Sequence, residues 1–166
     1  MNRELARNII LSLVIVLSQL LIFNHINLFG TVDTYIYVSL FILYKTTYDK
    51  TYLILFGFIV GLIIDLSLQT YGAHTLASIT VCYLKERIEK YSFGVNSTLP
   101  LAMIRGTQLT NRVTYFFLII FLHSLIYFSL IFFKFEFTLT IFLYTLINSI
   151  INFIIIWIIS MLIFDK

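Results

Sequence analysis

Six apolar stretches, separated by short polar breaks, divide the chain. They lie at about residues 8–26, 28–44, 52–68, 72–90, 113–133 and 138–164. A helix needs about 20 residues, at about 1.5 Å each, to cross a hydrocarbon layer of about 30 Å. The first, third and fifth stretches meet that length and the sixth exceeds it, which predicts tilt or projection beyond the bilayer. The second and fourth are short. The second reaches spanning length only by including residues 28–31 and Asp33, and the fourth only by running on into the charged residues 85–91. There Glu86 and Lys90 have the i,i+4 order that favours a helix surface pair. The first stretch follows Arg3 and Arg7, as in a signal peptide. No small-residue cleavage site follows it and further apolar segments do, so it reads as a retained helix. The pattern predicts an all-α, polytopic integral membrane protein of six transmembrane helices, forming one domain over residues 1–166.

Between the fourth and fifth stretches, Phe93-Gly94 reads as a helix stop, and Ser97-Thr98 before Pro100 as a new start. Arg105, Gln108 and Arg112 then share one face. Two readings fit: a separate helix lying in the membrane interface over residues 97–112, or an early start of the fifth span with Arg105 reaching back to water.

Composition narrows the class. Of 166 residues, 60% are hydrophobic and 11% charged, with 17 Phe and 11 Tyr. The mean hydropathy of +0.99 exceeds what the core of a water-soluble domain could hide, which excludes a soluble enzyme and a disordered chain. The single cysteine, Cys82, permits no internal disulfide. The net charge of +3 comes from the distribution of basic residues. With the N-terminus in the cytoplasm, ten fall inside (Arg3, Arg7, Lys45, Lys50, Lys85, Arg87, Lys90, Arg105, Arg112 and Lys166) and only Lys134 outside. Both termini are therefore expected in the cytoplasm, and both short segments must cross to keep this asymmetry.

Few residues offer chemistry. Asp65 stands alone in the third stretch, about 20 Å from its cytoplasmic end. It reads either as a polar anchor facing other helices or a partner, or as a carboxylate reaching outer-face water. Gly57 and Gly61 make a G-x-x-x-G pair, which allows close helix approach within the chain or to another subunit. Gly72 suits a tight outer turn. His74 can pair with Asp65 across that turn or face interfacial water. His123, and Asn148 with Asn152 one turn on, read as interhelical hydrogen-bonding groups. The two short segments bring Asp33 and His74 to the outer side, where they suit a small-solute pocket or a docking surface. No H-E-x-x-H, G-x-S-x-G or Walker motif is present, and no cofactor or metal is expected.

The stretch Gly57-Phe58-Ile59-Val60-Gly61-Leu62-Ile63-Ile64-Asp65, followed by Tyr71-Gly72-Ala73-His74-Thr75-Leu76-Ala77, resembles the signature of the bacterial rod shape-determining protein MreD family. That signature reads G-F-x-x-G-L-x-x-D, a short outer turn, then a glycine opening the next span. The size, the six spans, the short second segment and Phe121-Leu122-His123 are similar too. The family's frequent proline near the start of the second segment is absent. The resemblance implies a non-enzymatic subunit of the cell-elongation machinery in the bacterial cytoplasmic membrane, a multi-pass scaffold for peptidoglycan synthesis and cell shape. It implies as partners the bitopic MreC, the RodA glycosyltransferase with a class B penicillin-binding protein, and MreB filaments indirectly. It also implies a bundle like the substrate-binding S-components of energy-coupling-factor transporters. A solute-binding transporter subunit is therefore the alternative.

Overall fold

The computed structural model of the protein describes residues 3–28, 32–44, 49–94 and 107–164. It is almost entirely helical. The helices are α1 (Arg3–Leu21), α2 (Val38–Leu43), α3 (Lys50–Leu68), α4 (Ala73–Phe93), α5 (Leu109–Phe132) and α6 (Thr138–Phe164). Two-residue strands β1 (Asn27–Leu28) and β2 (Val32–Asp33) pair antiparallel between α1 and α2. From α3 onward each helix packs on the next. The side chain of Asp49 accepts the Thr51 amide at 2.8 Å to start α3, and Gly94, with φ +95°, ends α4. The stretch 95–106, which holds Pro100 and Arg105, lies outside the described residues, and so do Lys45 and Lys166. Within them, α5 begins at Leu109 and carries Arg112 in its first turn.

Among the described residues, four helical segments are long and apolar enough to cross a membrane: Arg7–His25, Lys50–Leu68, Leu109–Phe132 and Phe135–Leu162. α4 is long enough, but its C-terminal half carries Lys85, Glu86, Arg87, Glu89 and Lys90. Phe41, Ile64, Val81, Ile119, Ile120 and Ile156 are wholly buried and belong to one apolar core. α1 and α6 turn rows of apolar residues outward, among them Leu13, Leu17, Ile147 and Ile154, as helices facing lipid do.

The second stretch is the main departure from the hydrophobic pattern. It is not a helix over 28–44. Its helical part is the six residues of α2, reached through residues 34–37, which follow β2 and end in a turn. Non-helical backbone is tolerated in a membrane protein only where the protein itself satisfies it. Val32 and residues 34–42 are buried, and amide side chains from two helices serve their backbone. Asn148 Oδ1 accepts the Asp33 N–H at 3.0 Å. Asn152 accepts the Tyr35 N–H at 2.6 Å and donates to the Asp33 carbonyl at 2.9 Å. Gln19 of α1 donates to the Thr34 carbonyl at 2.7 Å and accepts from Tyr37 N–H at 3.3 Å. At the other end, the carbonyls closing α2 have no intrahelical donor. Lys85 Nζ donates to Tyr44 O at 3.0 Å and the Tyr115 hydroxyl to Ile42 O at 3.2 Å. Lys85 is 2% exposed and paired with Glu89. It is a buried clamp on α2, although the basic-residue tally counts it only for orientation.

Candidate functional site

The residues that carry the G-F-x-x-G-L-x-x-D pattern form one joint between α3 and α4. A Cβ on Gly61 would stand 2.6 Å from Thr75 Cα and 3.0 Å from the His74 carbonyl oxygen. A Cβ on Gly57 would stand 2.7 Å from Cys82 Sγ. Both glycines thus face α4 of the same chain, and the close approach they permit is used there. One turn beyond Gly61, the Asp65 carboxylate meets the start of α4. Oδ1 accepts from Thr70 Oγ1 at 2.5 Å and from the His74 N–H at 3.0 Å. Oδ2 accepts from the Thr75 N–H at 2.7 Å and Thr75 Oγ1 at 2.5 Å. A helix N-terminus presents unpaired N–H groups and partial positive charge. Asp65 caps it from the preceding helix, because the residue in the N-cap position is Gly72, which has no side chain to do so. The turn between them is tight: Gln69, Tyr71 and Gly72 have φ of +57°, +52° and +94°. Glycine meets the last at no steric cost.

Asp65 and His74 do meet, but through the His74 amide. The imidazole turns inward. The Tyr37 hydroxyl lies 2.9 Å from His74 Nδ1 and 2.7 Å from His123 Nε2, so one phenol bridges two imidazoles on different helices. A hydroxyl has one proton. Tyr37 therefore donates to one ring and accepts from the other, and two tautomeric arrangements satisfy the bridge equally. In each, one outer ring nitrogen is a bare N–H and the other a bare lone pair. Among the described residues, His74 Nε2, His123 Nδ1 and the fully buried Ser124 hydroxyl find no partner. Leaving such groups unpaired costs about 1–3 kcal/mol each.

Around this bridge stand Tyr35, whose ring centroid is 5.4 Å from both imidazoles, and Tyr127, stacked on His74 at 4.4 Å. Their hydroxyls reach Asp33 Oδ2 at 3.4 and 3.5 Å. The chain thus gathers Asp33, Tyr35, Tyr37, His74, His123 and Tyr127 into one polar cluster, with Asn148 and Asn152 behind it holding the backbone of residues 33–35. Arg112 lies apart, with its guanidinium 5.8 Å from the centre of the Trp157 ring. Among the described residues no three His, Cys, Asp or Glu side chains are placed to hold a metal ion.

The sequence pattern pointed to Asp65, His74, His123 and the two asparagines, but not to Tyr35, Tyr37, Tyr127 or Gln19. Gln19 carried a signal, as an amide in the middle of the first apolar stretch. The three tyrosines carried none, because tyrosine is abundant throughout the chain. No family model, curated protein or solved structure matches this chain in sequence or fold.

Proposed function

We propose that this chain is a non-enzymatic, multi-pass scaffold subunit of the bacterial cell-elongation machinery, resident in the cytoplasmic membrane. One observation carries the reading. Gly57, Gly61, Asp65 and Gly72, the four positions in register with the MreD-like pattern, form a single interlocking joint between α3 and α4. Every one of them acts on its own chain. A motif used wholly for holding two helices at a fixed distance suits a subunit that presents a rigid surface to partners.

The proposed topology has six crossings with both termini in the cytoplasm. The second crossing needs no full helix. Residues 32–35, the first two of them in β2, at up to about 3.3 Å each and eight more at about 1.5 Å reach up to about 25 Å, against a hydrocarbon thickness of about 30 Å.

The second reading, a solute-binding subunit of a transporter, is favoured by one observation, the half-open polar cluster at Asp33. One experiment separates the two. The tagged chain is crosslinked in its native membrane, co-purified, and its partners are identified by mass spectrometry. The scaffold reading expects a bitopic coiled-coil protein of MreC type, together with a RodA-like glycosyltransferase and a class B penicillin-binding protein. MreB-like filaments would follow only through these. Recovery of paired transport ATPases with a membrane coupling subunit would replace it with the second reading.

A further inference from the structure

Asp33 is the carboxylate of the cluster that the fold leaves open. It is half-buried, and among the described residues its side-chain hydrogen bonds are those from the Tyr35 and Tyr127 hydroxyls to Oδ2, at 3.4 and 3.5 Å. Both are at the outer limit of a hydrogen bond, where O–H to carboxylate contacts are normally 2.5–2.7 Å. Among the described residues no Lys, Arg or His nitrogen lies within 4.0 Å of it. Its backbone, by contrast, is pinned by Asn148 and Asn152. A fixed carboxylate without a cation in a membrane-embedded bundle is a site for one. Behind it stand two buried imidazole nitrogens that find no protein partner.

We propose that Asp33, with the hydroxyls of Tyr35 and Tyr127, binds a protonated primary amine arriving from the end of the bundle where α5 terminates. An ammonium group has three donors, and the three side chains offer a carboxylate with two phenol oxygens beside its Oδ2. The flanking aromatic rings add attraction for a cation. Depth fits as well. Tyr127 lies five residues before Phe132, the last residue of α5, which is about 8 Å along the helix. The 24 residues of α5 span about 36 Å, about 6 Å more than a hydrocarbon core of about 30 Å, so in the proposed topology Tyr127 and the neighbouring Asp33 come within several ångströms of the headgroups. The amine therefore has two sources: a dissolved amine, or the headgroup of an amino-phospholipid. This site does not depend on the scaffold reading.

The test uses the purified full-length chain in phosphatidylcholine nanodiscs. Cys82, the single cysteine, is buried when the protein is folded, so maleimide-dye labelling reports unfolding. The probe is n-butylammonium, with neutral n-butanol as control. The expected result is a saturable rise in Tm with the amine and none with butanol. Asp33→Asn should weaken the response about tenfold, equivalent to about 1.4 kcal/mol. Tyr127→Phe, which removes one oxygen and keeps the ring, should weaken it by a smaller factor and serves if the first variant does not fold. A wild-type response equal for amine and alcohol, or an undiminished response in both variants, would overturn the proposal. Repeating the titration in phosphatidylethanolamine discs identifies the source. A raised starting Tm with no further rise on adding butylammonium marks the lipid headgroup, and an unchanged response marks a dissolved amine.

Discussion

Asp65 and Asp33 are both carboxylates in apolar stretches of the chain, and the fold treats them in opposite ways. Asp65 accepts four hydrogen bonds of 3.0 Å or less, all from the turn and the helix that follow it. Asp33 has two long contacts and no cation among the described residues. One closes the joint between α3 and α4, and the other is held by its backbone while its side chain makes only long contacts. A lone acidic residue in an apolar run therefore says that something polar meets it, but whether that partner is inside or outside the chain depends on what the turn places nearby.

The largest expected effect tests this contrast directly. Asp65→Leu leaves the His74 and Thr75 amides of α4 without an acceptor and should cost about 3 kcal/mol, in keeping with a lost cap plus orphaned buried donors. Asp33→Asn keeps shape and removes no short hydrogen bond, so it should cost less than about 1 kcal/mol. Reversible unfolding in mixed micelles measures both, and equal losses would break the contrast. If Asp65 is chiefly a cap, any loss of cell shape in an Asp65→Leu strain should come with reduced levels of folded protein in the membrane.

A smaller effect separates the two glycines of the joint. Gly61→Ala forces its Cβ against the Thr75 backbone and should cost about 1–3 kcal/mol, as overpacking does. Gly57→Ala meets first the Cys82 sulfur, which a second change can remove. Cys82→Ala should therefore restore Gly57→Ala and leave Gly61→Ala unrepaired. Equal rescue of both, in the same unfolding assay, would mean that helix separation as a whole is adjustable.

The smallest effect concerns a third carboxylate. Asp49 caps α3 at the exposed end of that helix, and the Thr51 amide holds its carboxyl below the usual carboxylate range. A lowered folded-state value makes its contribution complete above the ordinary carboxylate pKa and lost as pH falls through the lowered one. Acid titration of wild-type against Asp49→Ala should show a difference in stability at neutral pH that closes in that acidic window. Because Asp49 is exposed, the difference should also be smaller than for Asp65. A difference as large as that of Asp65 would show that burial is not what separates the two caps.

Much of the architecture was legible from periodicity and length. The sixth stretch became α6 over the range expected, the third and fifth became α3 and α5 within a few residues, and the stop at Phe93-Gly94 marks the end of α4. These follow from local rules, because a helix satisfies its own backbone and needs from its surroundings only an apolar environment. The Gly57, Gly61 and Asp65 spacing likewise placed three residues on one face by helical geometry alone.

The second stretch was not legible in this way. An extended segment leaves its N–H and C=O groups open, so it can form only where other parts of the chain supply partners. Those partners, Gln19, Asn148, Asn152, Lys85 and Tyr115, come from four helices, and the two asparagines, both on α6, are more than a hundred residues distant. The same is true of the Tyr37 bridge, whose hydroxyl and two imidazoles come from three separate elements. Sequence alone determined where the chain is apolar, where its helices start and stop, and which side chains share a helix face. Only the tertiary structure decided which polar groups are satisfied within the chain and which, like Asp33, are left for something else, because hydrogen-bond partnership between distant segments is a property of packing and has no period along the chain.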